Sequence, residues 1–185
     1  MKKEYRNSIR TKKMIREAFA EMIGEKKMLA SISVSELAER ADIAKSTFYN
    51  HYDDVYAVAE EMMREMMEKL NGILDEMETD ERPDYRLYVK KIFDFLKENE
   101  DIYKKLSVSP DAVYFIDKVK SVLSKRAFNN VNAPFLSKNK SVRSVQISFV
   151  AHACVDTMVD YFRGNVQMSF DQISKTVMSM LDRML

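Results

Sequence analysis

From residue 8 onward the apolar positions return every three or four residues, and this helical period is interrupted only at a few polar breaks. Ile15, Ala18, Phe19, Met22 and Ile23 share one face of a first helix predicted over about 8–23, with Gly24 as its stop. Ser33 and Glu36 stand in capping-box register ahead of Val34, Leu37 and Ala38, which predicts a second helix over about 34–40. Asp42 falls in the following turn, Ile43 is its apolar plug, and a short third helix reaches about Asn50. So short a helix is unstable alone and must lean on its neighbours through Ile43, Phe48 and Tyr52, which turns Lys45, Ser46, Thr47, Tyr49 and Asn50 outward.

Asp53 is the expected cap of a long fourth helix ending near Glu78, and the run Thr79-Asp-Glu-Arg-Pro83 breaks the pattern after it. A fifth helix over about 84–97 turns Val89, Ile92, Phe93 and Leu96 inward, and a short sixth covers about 100–106. Ser109-Pro110 has the cap-then-proline order of a helix start and opens a seventh helix to about Phe128. The Asn-rich stretch 129–140 has no period and reads as a loop. An eighth helix over about 141–163 is apolar on more than one side, through Val145, Phe149, Val150, Ala153, Val155, Met158 and Phe162, and Gly164 ends it. Ser169 and Gln172 then open a ninth, with Phe170, Ile173, Val177, Met180, Leu181 and Met184 on one face.

Composition agrees with an all-α reading. Three Gly, three Pro and no Trp among 185 residues leave few breakers, and the 46% of hydrophobic residues suffice for a core. The net charge of +1 conceals an asymmetry. Residues 1–50 hold 11 Lys and Arg against 7 Asp and Glu, and residues 1–16 hold seven bases, Lys2, Lys3, Arg6, Arg10, Lys12, Lys13 and Arg16, against Glu4 alone. Basic charge gathered beside a helix-turn-helix is the electrostatic footprint of a nucleic-acid binder. Cys154 is the single cysteine, so no intramolecular disulfide forms; no tract approaches the roughly 18 apolar residues of a membrane span, and the cytoplasm is the expected compartment.

The segment from Thr11 to about Met62, and above all the run Val34…Leu37-Ala38…Ala41-Asp-Ile43…Ser46-Thr-Phe-Tyr49…His51-Tyr52, resembles the DNA-binding domain of TetR-family transcriptional regulators. The opening Arg10-Thr-Lys-Lys and the Gly164…Ser169 hairpin are weakly similar to that family's dihydroxyacetone-kinase-regulator branch. The resemblance implies a three-helix DNA-binding domain with a helix-turn-helix (1–52), then a helical ligand-binding and dimerisation domain (53–185), about nine helices in all. It further implies an effector pocket enclosed by helices four to seven and a homodimer through helices eight and nine. Three positions depart from the family pattern: Asp42 and Ala44 where many members have Gly and a capping Ser or Asn, and Val55 where a phosphate-binding Lys is frequent.

On this reading Lys45, Ser46 and Thr47 offer donors, acceptors or a methyl to base edges in the major groove, with Asn50 beside them. Tyr49 and His51 match family positions that resemble phosphate contacts, Ser33 would present a helix N-terminus to a phosphate, and Arg10 and Lys12 belong to the basic arm. Two such helices about one DNA turn apart (~34–36 Å) would read a near-palindromic operator on double-stranded DNA. Met66, Phe93, Tyr103, Phe149, His152 and Asp156 are the candidate lining of an effector pocket, though Met and aromatic residues at helical spacing are more often ordinary core, and His152 and Asp156 serve equally as a helix-surface pair.

No phosphate-cradling Gly loop, metal-ligand spacing or hydrolase motif is present, so neither a metal nor a cofactor is expected. His152 and Cys154, two apart on a helix, point in different directions and cannot act as base and nucleophile. An enzyme is therefore not expected. The alternative is a co-activator or protein-interaction module with the same fold that does not read DNA directly, favoured by the near-neutral helix-turn-helix and by Val55.

Overall fold

The computed structural model describes residues 2–79, 85–130 and 136–184. Within them every regular element is helical: α1 (Lys2–Lys26), a 3-10 turn (Leu29–Ser31), α2 (Val34–Arg40), α3 (Lys45–Tyr49), α4 (Val55–Thr79), α5 (Tyr85–Glu98), α6 (Glu100–Ser107), α7 (Ala112–Asn130), α8 (Lys140–Phe162) and α9 (Phe170–Met184). Most of the predicted Thr79-Asp-Glu-Arg-Pro83 break, residues 131–135 of the predicted loop, and the side chains of Lys2, Lys3, Arg6 and Met184 lie outside the described residues. No described helix is long and apolar enough to cross a membrane.

The chain packs as two compact units, one of Met1–Met66 with Asp101–Val113, the other of Met67–Glu100 with Tyr114–Leu185. In the first, Ile15, Phe19 and Ile23 of α1 meet Leu37 and Ala38 of α2, Phe48 of α3 and Val55 and Val58 of α4 in one buried cluster, against which Leu106 of α6 also packs. Gly24 does not stop α1, which continues to Lys26; its missing side chain instead lets Lys105 approach, whose Cβ would stand 3.4 Å from an added Cβ. The helix ends where Lys27 takes a φ of 67°, its N–H donating to the Ile23 carbonyl at 2.9 Å. Asp111 then holds the next turn, accepting from the Leu29 N–H at 2.9 Å.

In the second unit Met67, Leu70, Leu74 and Met77 of α4 pack on Tyr88 of α5 and Val119 of α7. Phe170 opens α9 between two edge-on aromatic neighbours, Phe93 at 6.3 Å and Tyr161 at 5.7 Å between ring centres. Ser169 and Gln172 form the expected box: Ser169 N–H donates to Gln172 Oε1 at 2.9 Å and Gln172 N–H to Ser169 Oγ at 3.3 Å. Gly164, at φ 77°, closes α8 as read from the sequence. Asn139 caps the other end of α8, its Oδ1 accepting from Ser141 and Val142. Asp54, rather than Asp53, caps α4, taking the Ala57 N–H at 2.8 Å. The apolar residues of α8 and α9 divide between core and surface. Val145 and Phe149 of α8 stand 70% and 68% exposed and Met180 of α9 59%, while Ile147, Met158, Tyr161 and Phe162 are the buried side of α8.

Candidate nucleic-acid interface

The helix-turn-helix is built by local chemistry on both sides of a tight turn. Ser33 Oγ accepts from the Glu36 N–H at 3.3 Å and Glu36 Oε2 from the Ser33 N–H at 3.1 Å, which starts α2. Lys26 reaches the Glu36 carboxylate at 2.7 Å, and its hydrogen bond, with those from the Ser33 hydroxyl and backbone, holds that group down to about 2. The turn passes through Asp42 at φ 53°, a left-handed conformation that Asp tolerates and that suits the Gly more frequent in the family. Ala44 gives α3 no side-chain cap. The helix is therefore held mainly by Phe48, fully buried and in contact with the Tyr52 ring at 5.8 Å.

Around that anchor the polar residues divide. Lys45, Ser46, Tyr49 and Asn50 are exposed, whereas Thr47 and His51 are partly buried. Tyr49, 56% exposed, stands edge-on to the Phe48 ring at 5.7 Å, so its ring is braced on one side and open to solvent on the rest. Arg10 is exposed on α1. Tyr56, absent from the expected set, is an exposed aromatic in the first turn of α4 and follows the buried Val55. Its signal in the sequence was only its place beside a helix start.

Two expected contacts have other employment. The Ser33 hydroxyl and N–H are engaged with Glu36, which also sets a carboxylate where a phosphate was expected. Lys12 does not project from the arm but forms an ion pair with Glu61 at 2.6 Å and lies over the Tyr52 ring at 5.4 Å. Glu61 also accepts from the Tyr52 hydroxyl and from Arg16 at 2.9 Å, and Arg16 reaches Glu65 through both terminal nitrogens at 2.6 Å. Burial alone would raise the Glu61 carboxyl, but the hydrogen bonds from Lys12, Tyr52 and Arg16 outweigh it and hold it at about 2. Burial and then the bond to Glu61 push the Tyr52 phenol up to about 12.

The candidate effector residues fall in both units. Met66 and Tyr103 belong to the first unit and Phe93, Phe149, His152 and Asp156 to the second. Phe93 is buried against Phe170, Phe149 is exposed, and Asp156 pairs with Lys120 of α7 at 2.5 Å. His152 borders a groove of 770 Å³ between α7 and α8, whose walls include Lys120, Ser121, Ser124, Ser144 and Ser148. Burial pushes the Cys154 thiol up to about 11, which keeps it protonated and unreactive at neutral pH.

Comparison with known proteins agrees with this architecture. Residues 83–183, more than half of the chain, match the TetR C-terminal family described as "Transcriptional regulator C-terminal region". A stretch of 64 residues, 35% of this chain, is 31% identical to the uncharacterized HTH-type transcriptional regulator YxbF of Bacillus subtilis, of which it spans only 16%. Among solved structures, a transcriptional regulator of the TerR/AcrR family from Aquifex aeolicus VF5 superposes with a TM-score of 0.71 at 14% identity, over 95% of this chain and 99% of that one. A TetR transcriptional regulator from Streptococcus agalactiae 2603V gives 0.61 at 20% identity, with 96% of both chains covered. At these identities the solved structures speak for the fold, and the match over 83–183 speaks for the family: the chain belongs to the TetR family of transcriptional regulators.

Proposed function

We propose that this protein is a homodimeric repressor that reads a near-palindromic operator through α3 and leaves it when a small-molecule effector binds. The observation that carries the reading is the division of α3 into a sealed side, Phe48, and an exposed polar side of Lys45, Ser46, Tyr49 and Asn50. Lys45 and Ser46 are assigned to base edges, with Thr47 at the margin, and Tyr49, His51, Asn50 and Arg10 to the duplex backbone. Tyr56 is added to the backbone set for its exposure beside α3. Ser33 and Lys12 are omitted because Glu36 and Glu61 occupy them.

A second copy would cover the exposed Val142, Val145 and Phe149 of α8 and Met180 of α9, which supports a dimer through these helices. The effector would act on α4, a single helix that contributes residues to both units, and change the separation of the two reading helices. Phe149 goes to the dimer surface on this reading, and His152 remains the effector candidate because it borders the groove between α7 and α8.

The test is selection of duplexes from genomic fragments by the purified protein, then titration of the selected duplex at several salt concentrations. A slope of about −0.9 in log affinity against log salt per neutralised phosphate is expected, and a flat response would sink the reading. The competing assignment, a co-activator that recruits protein without reading DNA, draws on the neutralised Lys12 and the carboxylate at Ser33. It requires that Lys45→Ala and Tyr49→Ala leave any DNA association unchanged.

A further inference from the structure

We propose that Glu61 is the positioning residue of the DNA-reading helix, fixing its angle by accepting at once from Tyr52, which follows α3, and from Lys12 and Arg16 of α1. The inference rests on the reading of α3 as the DNA-reading element. Tyr52 ends the segment that α3 begins, and it is held twice: its ring packs against Phe48, and its hydroxyl donates to Glu61 of α4. Lys12 and Arg16 approach the same carboxylate at 2.6 and 2.9 Å, and Arg16 ties it to Glu65. One carboxylate thus joins three helical elements of the first unit.

The apolar cluster already brings these elements together, so the clasp is not needed for burial. Ile15, Phe19, Phe48 and Val58 are fully or almost fully buried whatever lies beside them. Burial, however, is non-directional, and a helix of five residues with no side-chain cap can rock about a single ring. Hydrogen bonds have a length and an angle, and a largely buried cluster of them adds geometry more than stability. Base-edge contacts require the reading side chains in place to a fraction of a hydrogen-bond length, whereas Arg10 of α1 and Tyr56 of α4, in the backbone set, do not move with a tilt of α3. Loss of the clasp should therefore separate specific from non-specific binding.

The experiment compares the full-length protein with Tyr52→Phe, which removes one oxygen, and Glu61→Gln, which keeps the shape and removes the charge. Each is titrated with the tightest duplex that the wild-type protein selects from a randomised pool and with a scrambled duplex of equal length. Amide exchange over residues 45–52 is followed without DNA. Both variants should lose about tenfold or more on the selected duplex. On the scrambled duplex Tyr52→Phe should match wild type, and Glu61→Gln should bind as well or better, since the substitution removes the carboxylate that Lys12 faces and leaves Arg16 with Glu65 alone. Equal proportional loss on both duplexes, or no loss on the selected one, overturns the proposal.

Should the wild type select no duplex, DNA reading fails and exchange alone judges the clasp. Faster exchange at the His51 and Tyr52 amides, both bonded to the Phe48 carbonyl, with α1 unchanged, supports it, and unchanged protection overturns it. If Glu61→Gln does not fold, Tyr52→Phe decides.

Discussion

Phe48 and Tyr49 are adjacent in sequence and opposite in exposure, and substitutions at the two should act on different observables. Phe48→Ala removes a fully buried ring and is expected to cost about 3–5 kcal/mol in a denaturant titration. Tyr49→Ala should leave the melting temperature nearly unchanged and weaken DNA binding in a gel shift. This in-and-out placement was legible because consecutive residues on a helix point about 100° apart, and the spacing of Ile43, Phe48 and Tyr52 put Phe48 on the packed side. Asp42 was read only as a turn residue, and its positive φ is a finding of the structure; Asp42→Gly should stabilise the fold by up to about 1 kcal/mol, read as an upward shift in thermal unfolding. Lys12 was misplaced for a plain reason: its partner Glu61 is 49 positions away, and no local rule pairs residues at that distance.

At the scale of elements, capping chemistry was written in short motifs and was largely recoverable. The Ser33 and Ser169 boxes form as spaced, and Ser169→Ala should cost about 1 kcal/mol. Gly24 and Asp53 were exceptions: Asp54 takes the cap of α4, and a Gly serves either as a helix stop or as a notch for a neighbour, which only the approach of Lys105 distinguishes. The contact between α1 and α4 also predicts a pH dependence. The Glu61 carboxyl is held at about 2 in the folded chain against an ordinary 4.5, so the folded state favours its charged form. Its contribution is complete above about pH 5 and disappears as pH falls through that window towards 2. Denaturant midpoints measured from pH 6 down to pH 2 should decline over this range, and Glu61→Gln should flatten part of the decline.

At the scale of the whole molecule, α8 and α9 expose Val145, Phe149 and Met180 on helices whose other sides are buried. On the proposed dimer, Phe149→Glu places a charge in the interface; sedimentation should show a smaller species, and affinity for the selected duplex should fall with it. A monomeric wild type would remove the basis of this expectation. The amino-acid sequence determined by itself that the chain is helical, where most helices begin and end, and which side of α3 is polar, because period, caps and breakers act within a few residues of one another. Only the tertiary structure decided that residues 101–113 join α1, that Lys12 and Arg16 turn inward to Glu61, and that Phe149 faces outward while Phe93 does not. Those outcomes depend on which surfaces meet after the helices have formed, and helical period states that a face is apolar without stating what will cover it.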